Sequence, residues 1–149
     1  MDKPYHRTLH DFRPGQKFEH WPHKTVTESD NNLFCLLTMN HHPLHSDNQY
    51  AADQQQGRIV VVGTYVLSLV VGMTVADLSG TAIANLEYER IVHHAPVFIG
   101  DTIEARSEIL AVELSRSKPD RGVMTVETVA YNQHGVKVLS LQRKVLLPG

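Results

Sequence analysis

The sequence contains a single cysteine, Cys35, so an internal disulfide and a cysteine zinc knuckle are both excluded, and the composition fits a reducing cytoplasm. It also lacks any surplus of basic residues: fourteen Lys and Arg stand against sixteen Asp and Glu, a formal charge of −2. Nucleic-acid binding ordinarily demands a basic surplus, which removes DNA and RNA from the expected partners. There is no block of like charges, no internal repeat and no low-complexity tract beyond Gln54-Gln55-Gln56. No linker divides the 149 residues, a length that suits one domain with one core, and a single domain over 1–149 is expected. The polar stretch from Met1 to His10 has no apolar segment of the kind a signal peptide carries, and residues 1–11 are expected to be a poorly structured N-terminal segment.

One run stands out. From Ile59 to Ala76 the chain reads IVVVGTYVLSLVVGMTVA, eighteen residues without a formal charge, the lower limit for suspecting a membrane span. Its four β-branched or aliphatic opening residues read more easily as extended chain leading into a helix. Gly63 stands at the entry of that helix, and Gly80 lies just past its end, where a terminating glycine is common. Tyr65, Val66, Leu69, Val70, Met73 and Leu78 recur at helical spacing, while Leu67, Val71 and Val75 fill the other faces. A helix apolar nearly all round is a buried helix, so the run is read as a central helix enclosed by a sheet, with no membrane partner.

The rest of the chain supplies the sheet. Thr102 to Glu113 alternates Ile103, Ala105, Ile109 and Ala111 with Glu104, Arg106 and Glu108, the period of a strand with one apolar face. Val123 to Tyr131 and Val136 to Leu147 repeat the signal across Asn132-Gln133-His134-Gly135, whose glycine suits a hairpin turn. Thr81 to Val92 is a fourth extended candidate, and Phe18 to Val26 a short strand interrupted at Pro22. Thr27 with Asp30 three positions on marks a helix start, carrying Leu33, Phe34, Leu36 and Leu37 inward and stopping by His42 ahead of Pro43. Cys35, among those apolar residues, is read as core packing, and Asp47 to Gln55 as a second short helix.

The densest polar chemistry lies where the first helix breaks, in Asn40-His41-His42-Pro43-Leu44-His45-Ser46-Asp47. Three histidines in five positions invite a metal, but Pro43 interrupts their register and no His-Glu-x-x-His spacing accompanies them. Taken by itself, His45 reads first as a capped or solvent-facing loop histidine and only second as an acid/base, and His93 and His94, before Ala95-Pro96, read as loop residues.

Pro43-Leu44-His45, Tyr50-Ala51-Ala52, Gly57-Arg58, Gly63 and Pro96-Val97-Phe98-Ile99-Gly100-Asp101, in this order and spacing, resemble the MaoC-like, R-specific enoyl-CoA hydratase family from Phe12 onward. The resemblance implies an α+β hot dog fold, an antiparallel sheet wrapped around one long helix. It further implies a hydro-lyase acting on an enoyl-CoA or 3-hydroxyacyl-CoA thioester, without a cofactor, coenzyme A entering as part of the substrate. His45 falls on the family's acid/base position, and Gly63 on the position whose backbone N–H faces the thioester oxygen. The family pattern has Asp where this chain has Asn40, and Asn where it has His42. Three consequences stay open: His45 acts alone with Asn40 orienting water, Asp47 or Glu28 supplies the carboxylate, or hydration is lost. The first is favoured, because LLTMN before Pro-Leu-His resembles a branch acting on mesaconyl-, itaconyl- or methylmalyl-type CoA thioesters.

Arg58 is the expected contact for the CoA portion or a distal carboxylate of the acyl group, a surface salt bridge being an equally economical reading, with His42 as a second substrate-binding residue. The loop Ser115 to Gly122 offers further cations but reads first as a solvated hairpin. A homodimer or higher homo-oligomer is expected, since the family builds its tunnel between subunits. Two rivals remain: a hot dog thioesterase, which would ask for a carboxylate on the central helix where Gly63 to Ala76 has none, and a non-catalytic acyl-CoA binding protein.

Overall fold

A computed structural model describes residues 4–149. Six strands make the sheet: β1 (Lys17–Glu19), β2 (Lys24–Thr25), β3 (Ala84–His93), β4 (Thr102–Leu114), β5 (Arg121–Tyr131) and β6 (Lys137–Pro148). All pair antiparallel in the order β1-β4-β5-β6-β3, with β2 also on β4, so β3 is an edge strand. The predicted alternation is realised in β4, where Ile103, Ala105, Ser107 and Ile109 are buried, and in β5, where Met124, Val126, Thr128 and Ala130 are. The 132–135 turn closes as expected: Gly135 takes a φ of +72°, and the Asn132 carboxamide oxygen accepts from the His134 and Val136 amides.

Helix α1 spans Glu28–Thr38, α2 Asn48–Ala52 and α3 Gly63–Thr74. A wider turn, Val75–Ser79, prolongs α3. The start of α1 is the expected one, a reciprocal cap in which the Thr27 hydroxyl accepts from Asp30 N–H and the Asp30 carboxylate accepts from Thr27 N–H. Those bonds, joined by Lys24, lower the Asp30 carboxyl to about 2. Helix α3 lies on the concave face of the sheet, with Val66 and Val70 packed against Ile103, Ala130, Leu139 and Leu141. Beyond its end, Leu78 joins Leu9, Ile109, Met124 and Leu147.

Four expectations need correction. Residues 4–11 are not a loose leader: Leu9 is 1% exposed, within a short 3-10 turn under the sheet, because the groove beyond Leu78 needs an apolar filling. For residues 1–3 the expectation lies outside the described residues. Leu33, Leu36 and Leu37 do not point inward; they are exposed, and the buried face of α1 is Asn31 and Cys35, one helical turn apart. The reason is polar: the Asn31 amide has two backbone partners beneath the helix. Helix α3 is covered by the sheet on one side only, and its Thr64, Ser68 and Gly72 stripe is exposed. Gly80 is not a left-handed terminator, having a φ of −63°; a Cβ there would stand 2.4 Å from Tyr5 Cα, so close approach is what requires glycine. Among the described residues no helix is long and apolar enough to cross a membrane.

Two buried polar groups hold the far end of α3. The Arg143 guanidinium, 1% exposed, donates to Thr74 Oγ1 at 2.6 Å, Ser79 Oγ at 3.2 Å and Asn85 Oδ1 at 3.0 Å. His20 donates from Nδ1 to Asp77 Oδ2 and accepts at Nε2 from Ser107 Oγ, both at 2.7 Å. Burial outweighs the nearby Asp77 carboxylate and pushes the His20 pKa below its ordinary value, so the ring is a neutral hydrogen-bonding link.

Candidate active site

The break after α1 is set by the backbone. Met39 adopts a left-handed φ of +60°, and the amides of Met39 and Asn40 both turn back to the Cys35 carbonyl. Pro43–His45 then form one 3-10 turn, for which Pro43 supplies the fixed φ at the first position. His42 caps it, its Nδ1 accepting from Leu44 N–H at 3.0 Å, the local bond that a capping asparagine would otherwise make.

This turn delivers His45 to a defined setting. The ring Nδ1 donates to the Val60 carbonyl at 2.6 Å. With that proton committed, a neutral imidazole has Nε2 as its open lone pair. His45 stands where two clefts meet. One is polar, lined by Glu28, Asn31, Asn48 and Arg58 with Phe98. The other has apolar walls, Val60, Val61, Val66, Pro96, Val97 and Val138, and is lined also by Gly63 and His93.

Gly63 begins α3 where the sequence predicts. The N–H groups of Gly63 and Thr64 have no partner among the described residues, as the first turn of a helix requires, and the helix dipole reinforces their positive character. They form a ready set of donors for an oxyanion. Arg58 is brought to the polar cleft, its guanidinium carbon 3.6 Å from the centroid of the Phe98 ring, which fixes a flexible side chain by stacking.

Asn40 and His42 are placed differently. The Asn40 carboxamide oxygen accepts weakly from His42 N–H at 3.4 Å, and Asn40 lines neither His45 cleft. The His42 ring stands 5.9 Å from the His45 ring and packs against Tyr50, and it lines a third groove with Leu44, Gln54 and Pro96. Asp47 is engaged elsewhere as well, its Oδ1 accepting from Gln49 and Tyr50 amides at the start of α2. Glu28 is the carboxylate that shares a cleft with His45. Where the 115–120 loop enters β5, Arg121 is paired with Asp120, at 3.1 Å, as in a solvated hairpin.

Two residues of the site escaped the sequence reading. Asn31, 1% exposed, donates from Nδ2 to the His45 carbonyl at 2.9 Å and accepts at Oδ1 from Val62 N–H at 3.1 Å. A single amide thus ties the histidine turn to the residue before Gly63. No periodicity marks it, because its partners lie fourteen and thirty-one residues away. His93 is the last residue of β3, not a loop residue, and its ring packs on Gly63.

The MaoC like domain matches residues 11–132. Mesaconyl-CoA hydratase of Cereibacter sphaeroides is 33% identical over 141 residues, 95% of this chain and 41% of that protein. Beta-methylmalyl-CoA dehydratase of Chloroflexus aurantiacus is 33% identical over 137 residues, 92% of this chain and 39% of that protein. The chain therefore spans about two fifths of the length of these relatives. A MaoC domain protein of Chloroflexus aurantiacus superposes with a TM-score of 0.92 at 31% identity, over 96% of this chain and 40% of its own. A Mycobacterium tuberculosis protein with a double hotdog fold superposes with a TM-score of 0.90 at 20% identity, over 97% of this chain and 45% of its own, a likeness of fold alone.

Proposed function

Because the chain belongs to the MaoC-like domain family and has the hot dog fold, we propose that it is a hydro-lyase, adding water to an enoyl-CoA thioester or removing it from the 3-hydroxyacyl-CoA. The observation that carries the reading is the 2.6 Å bond from His45 Nδ1 to the Val60 carbonyl, which leaves Nε2 as the base at the junction of a polar and an apolar cleft. In the hydration direction His45 takes a proton from water while the water oxygen bonds to the β-carbon. The displaced electron pair moves through the α-carbon to the thioester oxygen, where the Gly63 N–H stabilises it. The imidazolium then returns its proton to the α-carbon, and dehydration is the reverse. In this reading Asn40 serves through the turn, bracing His42 and hence the presentation of His45.

The proposed substrate is a short branched dicarboxyl-CoA. Two relatives are a mesaconyl-CoA hydratase and a beta-methylmalyl-CoA dehydratase, and Arg58 offers a fixed cation beside His45 for a distal carboxylate or the CoA phosphates. We take the working unit to be a second copy joined to the first, acting in the cytoplasm without a separate cofactor. The edge of β3, unpaired among the described residues, and the half-covered side of α3 leave Leu67, Val71, Tyr88 and Ile91 around one groove, an apolar surface that a partner domain would cover. The double hotdog relative, of which this chain matches 45%, has room for two such domains in one chain.

The test is loss of enoyl-thioester absorbance on incubation with mesaconyl-CoA and crotonyl-CoA, with free thiol measured in parallel. Hydration without thiol release is expected, and His45→Ala abolishes it. Thiol release from the wild-type protein would instead favour a thioesterase, and tight binding with neither reaction a binding protein.

A further inference from the structure

We infer that His93 is the second hydrogen-bond donor of the oxyanion pocket, acting beside the Gly63 N–H on the same thioester oxygen. This rests on the proposed acyl-CoA site and adds to it a residue outside the motif that carries His45.

Contact supplies the first argument. A Cβ built on Gly63 would stand 3.0 Å from Cε1, 3.2 Å from Nε2 and 3.5 Å from Nδ1 of His93, so the imidazole occupies the space a side chain at 63 would need. It thereby lies against the first residue of α3, where two N–H groups are open. Neither ring nitrogen of His93 has a partner among the described residues. The adjacent His94, by contrast, uses its Nε2 on Ser140 Oγ at 2.7 Å.

The strand itself supplies the second. Tyr88 pairs with Arg143, and His93 pairs with Leu139; both partners are buried on the concave face of β6, so Tyr88 and His93 share that face. Five residues apart, they are of opposite parity and would point to opposite faces in a regular strand. A bulge between Glu89 and Val92 inserts the extra residue that reverses the alternation, and Arg90 within it takes a φ of +52°, a left-handed conformation that non-glycine residues adopt at a cost. The deformation turns His93 toward Gly63. A neutral imidazole has one N–H, and a thioester oxygen that receives the Gly63 N–H comes within reach of that ring.

The experiment compares wild-type protein with His93→Phe, which keeps a ring and loses the donor, and His93→Gln, which keeps an N–H. Two signals are read: kcat with crotonyl-CoA, and the shift to longer wavelength of a conjugated enoyl-CoA on binding, which reports polarisation of its carbonyl. Thermal unfolding confirms folding of each variant. His93→Phe is expected to lower kcat about 100-fold with little change in KM, the scale for loss of one oxyanion donor, and to lose most of the wavelength shift. His93→Gln recovers most of both. Wild-type kcat and shift in folded His93→Phe overturn the inference, as does His93→Gln behaving like His93→Phe. Absence of hydration with the shift present in wild type and lost in His93→Phe sinks the hydro-lyase reading and leaves the donor assignment standing. Absence of any shift in wild type overturns the donor assignment even where hydration is found.

Discussion

The side chain of Asn31 holds His45 by its backbone, donating from Nδ2 to the His45 carbonyl at 2.9 Å while its Oδ1 receives Val62 N–H at 3.1 Å. The His45 turn and the open amides at the start of α3 come from separate stretches of chain, and this buried amide sets their spacing.

Asn31→Ala leaves a partly buried carbonyl and a buried N–H without partners, at a cost of about 2–4 kcal/mol. Asn31→Asp keeps the acceptor for Val62 but sets a second acceptor against the His45 carbonyl. Urea unfolding is expected to register the loss for Asn31→Ala. In the folded fraction of Asn31→Asp, kcat falls more than KM rises; unchanged kcat in both variants would show that the link has no bearing on the chemistry.

Gly63→Ala is expected to fold, since the first turn of a helix accepts alanine, but to displace the His93 ring that lies 3.0 Å from the new methyl position. A drop in kcat of about tenfold to 100-fold follows if the oxyanion pocket is disturbed. The double variant Gly63→Ala/His93→Ala isolates the contact: removal of the ring relieves the clash, so the two effects are non-additive. Strict additivity in kcat and in thermal stability counts against direct contact.

For Arg58 the informative comparison is between substrates. Arg58→Ala should raise KM for a dicarboxyl-CoA well above its effect on crotonyl-CoA, the difference measuring a contact to the distal carboxylate. Equal losses assign the guanidinium to the CoA portion instead. Phe98→Leu, which removes the ring that the guanidinium stacks on at 3.6 Å, is expected to give a weaker form of the same pattern.

Acid should destabilise the fold through His20. Burial lowers its folded pKa below the ordinary 6.5, so between these two values the unfolded chain binds the proton more readily. Stability is complete above about 6.5 and is lost as pH falls toward the folded pKa. Urea midpoints measured from pH 7.5 down to pH 5 should fall with acidification, and His20→Gln, which has no titrating ring, should flatten that slope (about one proton by linkage). Identical slopes in the two proteins would assign the acid sensitivity to other groups.

The sequence by itself determined what is set by neighbours in the chain. The alternation in β4 and β5, the reciprocal cap of Thr27 and Asp30, the turn ending at Gly135 and the start of α3 at Gly63 depend on contacts a few residues long, and each was readable. So was the motif that delivers His45, because Pro43 and His42 build its turn locally. The tertiary structure decided which face of a helix is buried and which side chains converge. Leucines on α1 look outward because Asn31 finds its two partners inward, and Asn40 is drawn to His42 instead of into a cleft. His93 reaches Gly63 only because a one-residue bulge reverses the parity of β3. Local rules fix the phi, psi and periodicity of a segment. Burial of a polar group or a change of strand register is settled by the free energy of partners far along the chain, and these exist only once the sheet has closed on α3.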